Sequence, residues 1–252
     1  MLRHWFVTLF SLGLLLASVP SAPPAAASST YPDVVLADSP AMYWRLGEQS
    51  GTIAFDRTSN HHDGTFERAP ALGAQGAIAG DTDTSVLFGH RSLMRWTPDS
   101  RFKGTFTVEA WVRPERAKAH QIFFSTGTYG FQLGLRQNPD GTRYITIDTG
   151  NGHNWWGNWG AEFPYRIGRW LHVVVYYGPV VGAVYVNGSI IIGLPNIWSG
   201  SPLLFAPGHP VIVGGQTGNP ATWFAGQIDE VAVYTYGLPG DRVLAHYQAG
   251  IH

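Results

Sequence analysis

From Met42 to Tyr234 the sequence is a succession of short apolar, β-branched and aromatic runs, each cut off by Gly, Pro, Asn or Asp. Long helices do not tolerate that punctuation, whereas short strands joined by tight turns require it. The clearest run is Phe106 to Val112, in which Phe106, Val108, Ala110 and Val112 alternate with Thr107, Glu109 and Trp111, the period of a half-buried strand. Gln121 to Ser125, Phe131 to Arg136 and Tyr144 to Asp148 continue the series, with Asn138-Pro139-Asp140-Gly141 turning the chain between the last two. Trp170 to Tyr177 is so rich in apolar and β-branched residues that both of its faces should be covered. Gly182 to Val186 then meets Ser189 to Ile192 across Asn187-Gly188, the pair favoured by a type I′ hairpin turn. Met42 to Leu46, Ile53 to Phe55, Ser85 to Phe88 and Pro210 to Gly214 are further strands, while Tyr31 to Ala41 reads as an arm and Leu72 to Thr82 as surface wrap. Pro239 to Gly250 alone reads as a helix, with Val243, Leu244 and Tyr247 on one face. The pattern predicts an all-β fold of two antiparallel sheets packed as a sandwich, with a short C-terminal helix.

A chain of 252 residues, 44% hydrophobic and 13% charged, can bury one full core. Its net charge of -1 supplies no field for nucleic acid. The absence of cysteine excludes both a disulfide framework and a lipid-anchor cysteine. Arg3, the apolar run from Trp5 to Val19 and the small-residue stretch ending at Ala25-Ala26-Ala27 predict a signal peptide over residues 1–27. That run is shorter than the roughly 20 residues a spanning helix needs. The expectation is a secreted, extracellular domain over 28–252, with no membrane insertion after cleavage.

The stretch Phe224 to Tyr236 carries the only adjacent acids, Asp229 and Glu230. A strict period of two puts Gln227, Asp229, Val231 and Val233 on one face and Ile228, Glu230, Ala232 and Tyr234 on the other. Both faces start polar and finish apolar, so the acids are expected at a wet sheet rim within reach of ions. Asp229 also has Arg45 or Arg57 as possible partners. The loop Asp56 to Gly64 reads in two ways. Its Asp, Ser and Asn side chains can satisfy their own backbone, or its oxygens can form part of a calcium site, with Asp63 as a local candidate. An EF-hand is excluded, because His61 stands where that motif needs Gly and no helices flank the loop.

Gly152 to Gly160 is a loop in this reading, and its His153, Asn154, Trp155, Trp156, Asn158 and Trp159 are the ligand candidates. Flat indole faces can receive the C–H faces of sugar rings while Asn and His hydrogen-bond the hydroxyls. Alternatively Trp155 or Trp156 plugs the sandwich, leaving Trp159 and the polar members outside. Trp198 and Trp223 lie in turn-rich segments that can extend the patch. Asn187-Gly188-Ser189 is formally a glycosylation sequon, fully explained by its hairpin turn.

Tyr43 to Glu48, Asp56 to Gly64, Ser85 to Phe88, Phe106 to Val112, Trp170 to Val174, Tyr185 to Gly188, Gly226 to Tyr234 and His246 to Gly250 occur in the order of the landmarks of the laminin G-like (LamG-like) family, which the mature chain resembles. The resemblance implies a jelly-roll sandwich of the concanavalin A type. It also implies a rim calcium ion held by Asp56, by Asn60 or its neighbours, and by Asp229. Retaining glycosidases on this fold carry Glu, Asp and Glu at every second residue of one strand. Here Gln227 and Val231 flank Asp229, so the catalytic pair is missing and no enzyme is expected. The reading is a secreted, non-enzymatic module that binds an extracellular glycan, with a structural calcium ion. Its alternative is an adhesion or structural protein that binds a surface protein.

Overall fold

The computed structural model describes residues 30–89, 91–178, 181–195 and 203–252. The expected signal segment 1–27 and Trp198 lie outside the described residues. In chain order the strands begin with β1 (Met42–Trp44), β2 (Ile53–Ala54), β3 (Gly64–Glu67), β4 (Ala71–Gln75), β5 (Thr84–Phe88) and β6 (Leu93–Trp96). They continue with β7 (Phe102–Lys103), β8 (Phe106–Pro114), β9 (Gln121–Ser125), β10 (Phe131–Gln137), β11 (Arg143–Gly150) and β12 (Trp155–Glu162). The last are β13 (Leu171–Tyr177), β14 (Val181–Val186), β15 (Ser189–Pro195), β16 (Leu203–Phe205), β17 (Val211–Val213) and β18 (Gly226–Tyr234). Helix α1 (Tyr31–Ala37) precedes them and α2 (Gly240–Ile251) follows.

The first sheet runs β15-β14-β13-β8-β18-β5-β4, with β1 also paired to β18, and the second runs β12-β11-β10-β9-β17-β6-β3-β2. Their facing sides bury Trp44, Phe88, Phe106, Phe131, Ile147 and Val233 among many others in one core. The sandwich is therefore a jelly roll. Local chemistry sets its corners where expected: Asn187 and Gly188 both take positive φ, 52° and 74°, as a type I′ turn requires.

Both helices pack on the outer side of the first sheet, where Tyr31, Val35, Trp111, Tyr234 and Val243 form a second apolar cluster. The expected N-terminal arm is thus a helix. Thr30 and Asp33 form its capping box and Pro32 enters its first turn, the arrangement that starts a helix most cheaply. The expected surface wrap begins as the edge strand β4. In α2 it is Val243, His246 and Gly250 that are buried, while Leu244 is 42% exposed.

The period-two reading of β18 fails at its centre. Asp229 pairs with Trp111 of β8 and the next ladder pair is Ala232 with Glu109, so Glu230 and Val231 share the place of one residue. Glu230 takes φ 52°, and this bulge reverses the pleat. Ile228, Val231 and Val233 all point into the sandwich, whereas Ala232 and Tyr234 face the helices.

Candidate functional site

The bulge also decides where the two acids go. Asp229 and Glu230 are 2% and 1% exposed, not at a wet rim. Arg45, just after β1, reaches over them. It donates to Glu230 Oε1 from Nε at 2.9 Å and Nη2 at 2.8 Å, and it also pairs with Asp81 at 2.7 Å and Asp83 at 3.0 Å. Tyr43 closes the other Glu230 oxygen. Asp229 accepts from the Ala77 amide at 2.7 Å through Oδ2, but its Oδ1 is buried without a partner. Nearby Glu48 takes the Phe55 amide on Oε1 and leaves Oε2 equally orphaned.

Four carboxylates, those of Asp81, Asp83, Asp229 and Glu230, therefore act on one guanidinium. Burial raises the pKa of Asp229, and Glu230 and Asp83 add to the rise. Burial likewise lifts Glu230 to about 7 despite Arg45. Surplus negative charge with a bare oxygen suits a hard cation, and Asp229 Oδ1 is a buried oxygen left for one. Gly47 and Gly76 make room, since a Cβ on Gly47 would overlap Asp83 Oδ1 and one on Gly76 would lie 3.2 Å from Asp229 Oδ2.

The early loop is built differently from the expected calcium arm. Asp56 Oδ1 accepts from the amides of Tyr43 and Thr58, and Oδ2 from Thr58 Oγ1 and the His62 amide, all within 3.0 Å. Asp63 Oδ1 accepts the Asp56 amide at 2.8 Å, and Asn60 Nδ2 donates to the Ala41 carbonyl at 3.0 Å. These side chains tie the loop to itself and to β1. Among the described residues no group of three or more His, Asp or Glu side chains is gathered for a metal. Asp56, Asn60, Asp63 and Asp229 thus do not form one ligand set, because the loop's own donors have taken the early oxygens.

The second sheet offers a different surface, since both helices lie on the other one. The expected loop Gly152 to Gly160 is mostly edge strand β12, paired to β11 in the register Asp148 with Asn158 and Ile147 with Trp159. Trp159 consequently faces inward, against the core. Asn158 faces outward and donates to Asp148, which lies opposite Gln132 of β10. Gln132 in turn donates to Gln216. One pair further along the strands the row reads Gly160, Thr146, Gly134. Beyond it Tyr144 carries the Arg136 guanidinium 4.7 Å above its ring. His120 Nε2 meets Thr146 Oγ1 at 3.2 Å. Burial raises Asp148 and lowers His120. His153 and Asn154 are exposed in the turn before β12, and Trp155 is 41% exposed. The side chain of Trp156 lies outside the described residues. Trp223 is 7% exposed and packs with Leu93 and Ile212, under Arg68.

The Laminin G 3 family model, described as the concanavalin A-like lectin/glucanases superfamily, matches residues 88–244. The chain belongs to that superfamily. Among solved structures it is similar to domain 4 of AbnA, an extracellular arabinanase from Geobacillus stearothermophilus in complex with arabinotriose. Identity there is 19% and the TM-score 0.60, over 83% of this chain and 98% of that one. The binding domain of Paraclostridial mosquitocidal protein 1 gives 14% identity and a TM-score of 0.62, over 84% of this chain and 52% of the other. The receptor-binding domain of a botulinum neurotoxin C/D mosaic gives 10% and 0.63, over 84% and 51%. The chain spans about half the length of those two toxin domains, and at such identities the likeness is one of fold. The comparison with curated proteins finds no match.

Within this lectin/glucanase sandwich the outward row Asp148, Gln132, Thr146 and Tyr144 escaped the sequence reading. Its signal was present: Gln132, Gly134 and Arg136 alternate with Phe131, Leu133 and Leu135, and Tyr144, Thr146 and Asp148 alternate with Ile145 and Ile147. Asp81 and Asp83 were missed because nothing local ties their loop to β18.

Proposed function

We propose that this lectin/glucanase-superfamily chain is a secreted, non-catalytic glycan-binding module whose site lies on the outer face of the second sheet, toward β12. One observation carries the reading: Asn158, Asp148, Gln132 and Gln216 form a chained polar row beside the Gly160–Thr146–Gly134 row, on a sheet that neither α-helix covers. Gln132, Asp148 and Thr146 are 4%, 8% and 1% exposed and form the floor, above which the exposed Asn158 carboxamide offers a donor and an acceptor to a hydroxyl and the exposed Gly160 puts no side chain in the way of a ring. The arabinotriose bound to a domain of the same fold supports the assignment. Absence of catalysis is supported by Gln227 and Val231, which stand where a glycosidase of this fold would keep its glutamates. The bulge, moreover, turns Val231 into the core. A structural calcium ion, in this proposal, binds at Asp229, whose buried Oδ1 has no partner, and supplies positive charge that Arg45 alone does not. Export with removal of residues 1–27 completes the reading.

The test is a glycan array followed by calorimetry on wild type and Asn158→Ala. Saturable binding that weakens about tenfold in the variant is expected for one lost hydrogen-bonding group, with a small fall in melting temperature from the Asp148 carboxylate left without its donor. Failure to retain any glycan, together with saturable capture of a surface protein, would establish the adhesion alternative instead.

A further inference from the structure

Three loops converge at one end of the second sheet, residues 126–130, 150–155 and 206–209. Gly127 lies so close to His209 that an added Cβ would stand 3.0 Å from the His209 Cα. The Gly152 amide donates to the Tyr129 carbonyl at 2.7 Å, and Gly150 approaches the same carbonyl so tightly that any Cβ there would overlap it. These contacts hold Tyr129 at φ 59°. For a bulky side chain the left-handed region is unfavourable, and such strain persists where surrounding structure over-determines it. The strained residue does not serve the core. Its ring is 38% exposed and meets Trp155, 41% exposed, at 5.7 Å and 67°. The two rings make an open corner in solvent, with one flat wall and one edge.

Arginine and histidine side chains gather beside this corner, where the register of Phe102 with Phe205 brings Arg101 to the head of the 206–209 loop. Asn151 Oδ1 accepts the amides of His153 and Asn154 at 2.8 and 2.9 Å, which fixes the exposed turn that carries His153. Burial, then Arg101 and His153, disfavour the protonated form of His209 and outweigh a backbone hydrogen bond with Thr128 that favours it. Among the described residues no carboxylate forms an ion pair with Arg101, His153 or His209. Cation-forming side chains that act on one another without a counter-ion are mutually unfavourable, and an anion brought between them relieves that cost.

We propose that the Tyr129–Trp155 corner, with Arg101, His153 and His209 beside it, is a subsite for a carboxylate-bearing sugar of the uronic or sialic acid class. The C–H face of the ring lies on the aromatic wall and the carboxylate turns toward Arg101 and the histidines. The inference rests on the glycan-binding reading and adds the class of ligand to it. Position in the fold agrees: the corner abuts the β12 end of the polar row, so a chain lying along that row brings an acidic residue to it.

The experiment is an array carrying glucuronic, galacturonic and sialic acid glycans together with their neutral or methyl-esterified counterparts. It is probed with wild type, Tyr129→Gly and Arg101→Ser. Tyr129→Gly removes the ring where glycine suits the backbone, so its melting temperature is expected to equal or exceed that of wild type. Arg101 is exposed, and its replacement leaves the fold intact. Wild type is expected to retain acidic glycans at least about tenfold over the neutral partners, and each variant to lose about ten- to hundredfold on the acidic glycans only. Among the acids, the retained class identifies uronic or sialic acid as the ligand. Equal retention of acidic and neutral glycans, or undiminished acidic binding in Tyr129→Gly, would overturn the acidic subsite while leaving glycan binding standing. Retention of no glycan at all would overturn both.

Discussion

Glu109, at the middle of β8, is the buried hub that fastens both helices to the first sheet, and Glu109→Gln is expected to unfasten them. Its carboxylate accepts from Tyr31 Oη at 3.0 Å, His172 Nε2 at 2.7 Å, Tyr234 Oη at 3.0 Å and His246 Nδ1 at 3.0 Å. His246 Nε2 meanwhile lies 2.8 Å from Asp38, just after α1. An imidazole between two carboxylates must be protonated to donate to both. Burial pulls the His246 pKa down, but Glu109 and Asp38 outweigh it and the net direction is up. Burial likewise pushes Glu109 up, and His246 and His172 overcome it, so the net direction is down. The amide of glutamine keeps one acceptor and sets two N–H donors against donors. Breaking a buried charged pair costs roughly 3–5 kcal/mol. At about 2–4 °C per kcal/mol for a domain of this size, the melting temperature should fall by roughly 6–20 °C.

The pH signature separates this mechanism from simple misfit. A raised histidine stabilises fully below its unfolded pKa, near 6.5, and the contribution is lost as pH rises through the folded value. A depressed carboxylate stabilises above its unfolded pKa and fails only in strong acid. Wild type is therefore expected to lose stability on the alkaline side of pH 6.5, and Glu109→Gln to show a flatter profile there. Urea denaturation followed by fluorescence between pH 5 and 9 measures both. A variant within about 0.5 kcal/mol of wild type, the ordinary range for surface changes, or one with the wild-type slope, would refute the hub.

Three further outcomes concern the acidic cluster. Asp229→Asn is expected to stabilise the calcium-free protein by about 1 kcal/mol by relieving like-charge repulsion. It should also abolish any calcium-dependent rise in melting temperature, and a rise of wild-type size in the variant would exclude Asp229 as a ligand. Because Asp229 and Glu230 are raised, the latter to about 7, their cluster should lose stability as pH climbs from the ordinary carboxylate range through 7. Calcium should restore that stability, which differential scanning fluorimetry with and without chelator reads directly. Gly47→Ala must displace Asp83 from Arg45 and is expected to cost roughly 1–3 kcal/mol; an unchanged urea midpoint would show that the loop yields freely.

What was legible in the residues was what neighbours along the chain decide. The Asn187-Gly188 hairpin, the turn at Asn138 to Gly141 and the alternation of β8 are each settled within a few positions. The bulge at Glu230 was not, because it answers to β1 and Arg45 on a segment some 185 residues away. Asp56 misled for the converse reason. Its oxygens could have served an ion, but four donors within its own loop and β1 reached them first.

Glu109 is the instructive case, because alternation alone placed it on a solvent-facing side of β8 together with Thr107 and Trp111. That side is covered by helices drawn from the two ends of the chain, which no local period can announce. A constraint was nevertheless present one strand over. Trp170 to Tyr177 reads as covered on both faces, and β13 lies beside β8 with His172 opposite Trp111. Strands adjacent in a sheet share the same cover, so a β13 buried on both sides demands a β8 buried on both sides. A glutamate within it then has to be buried and hydrogen-bonded. The histidine of that apolar run was the partner to look for, and the structure puts its Nε2 2.7 Å from the carboxylate.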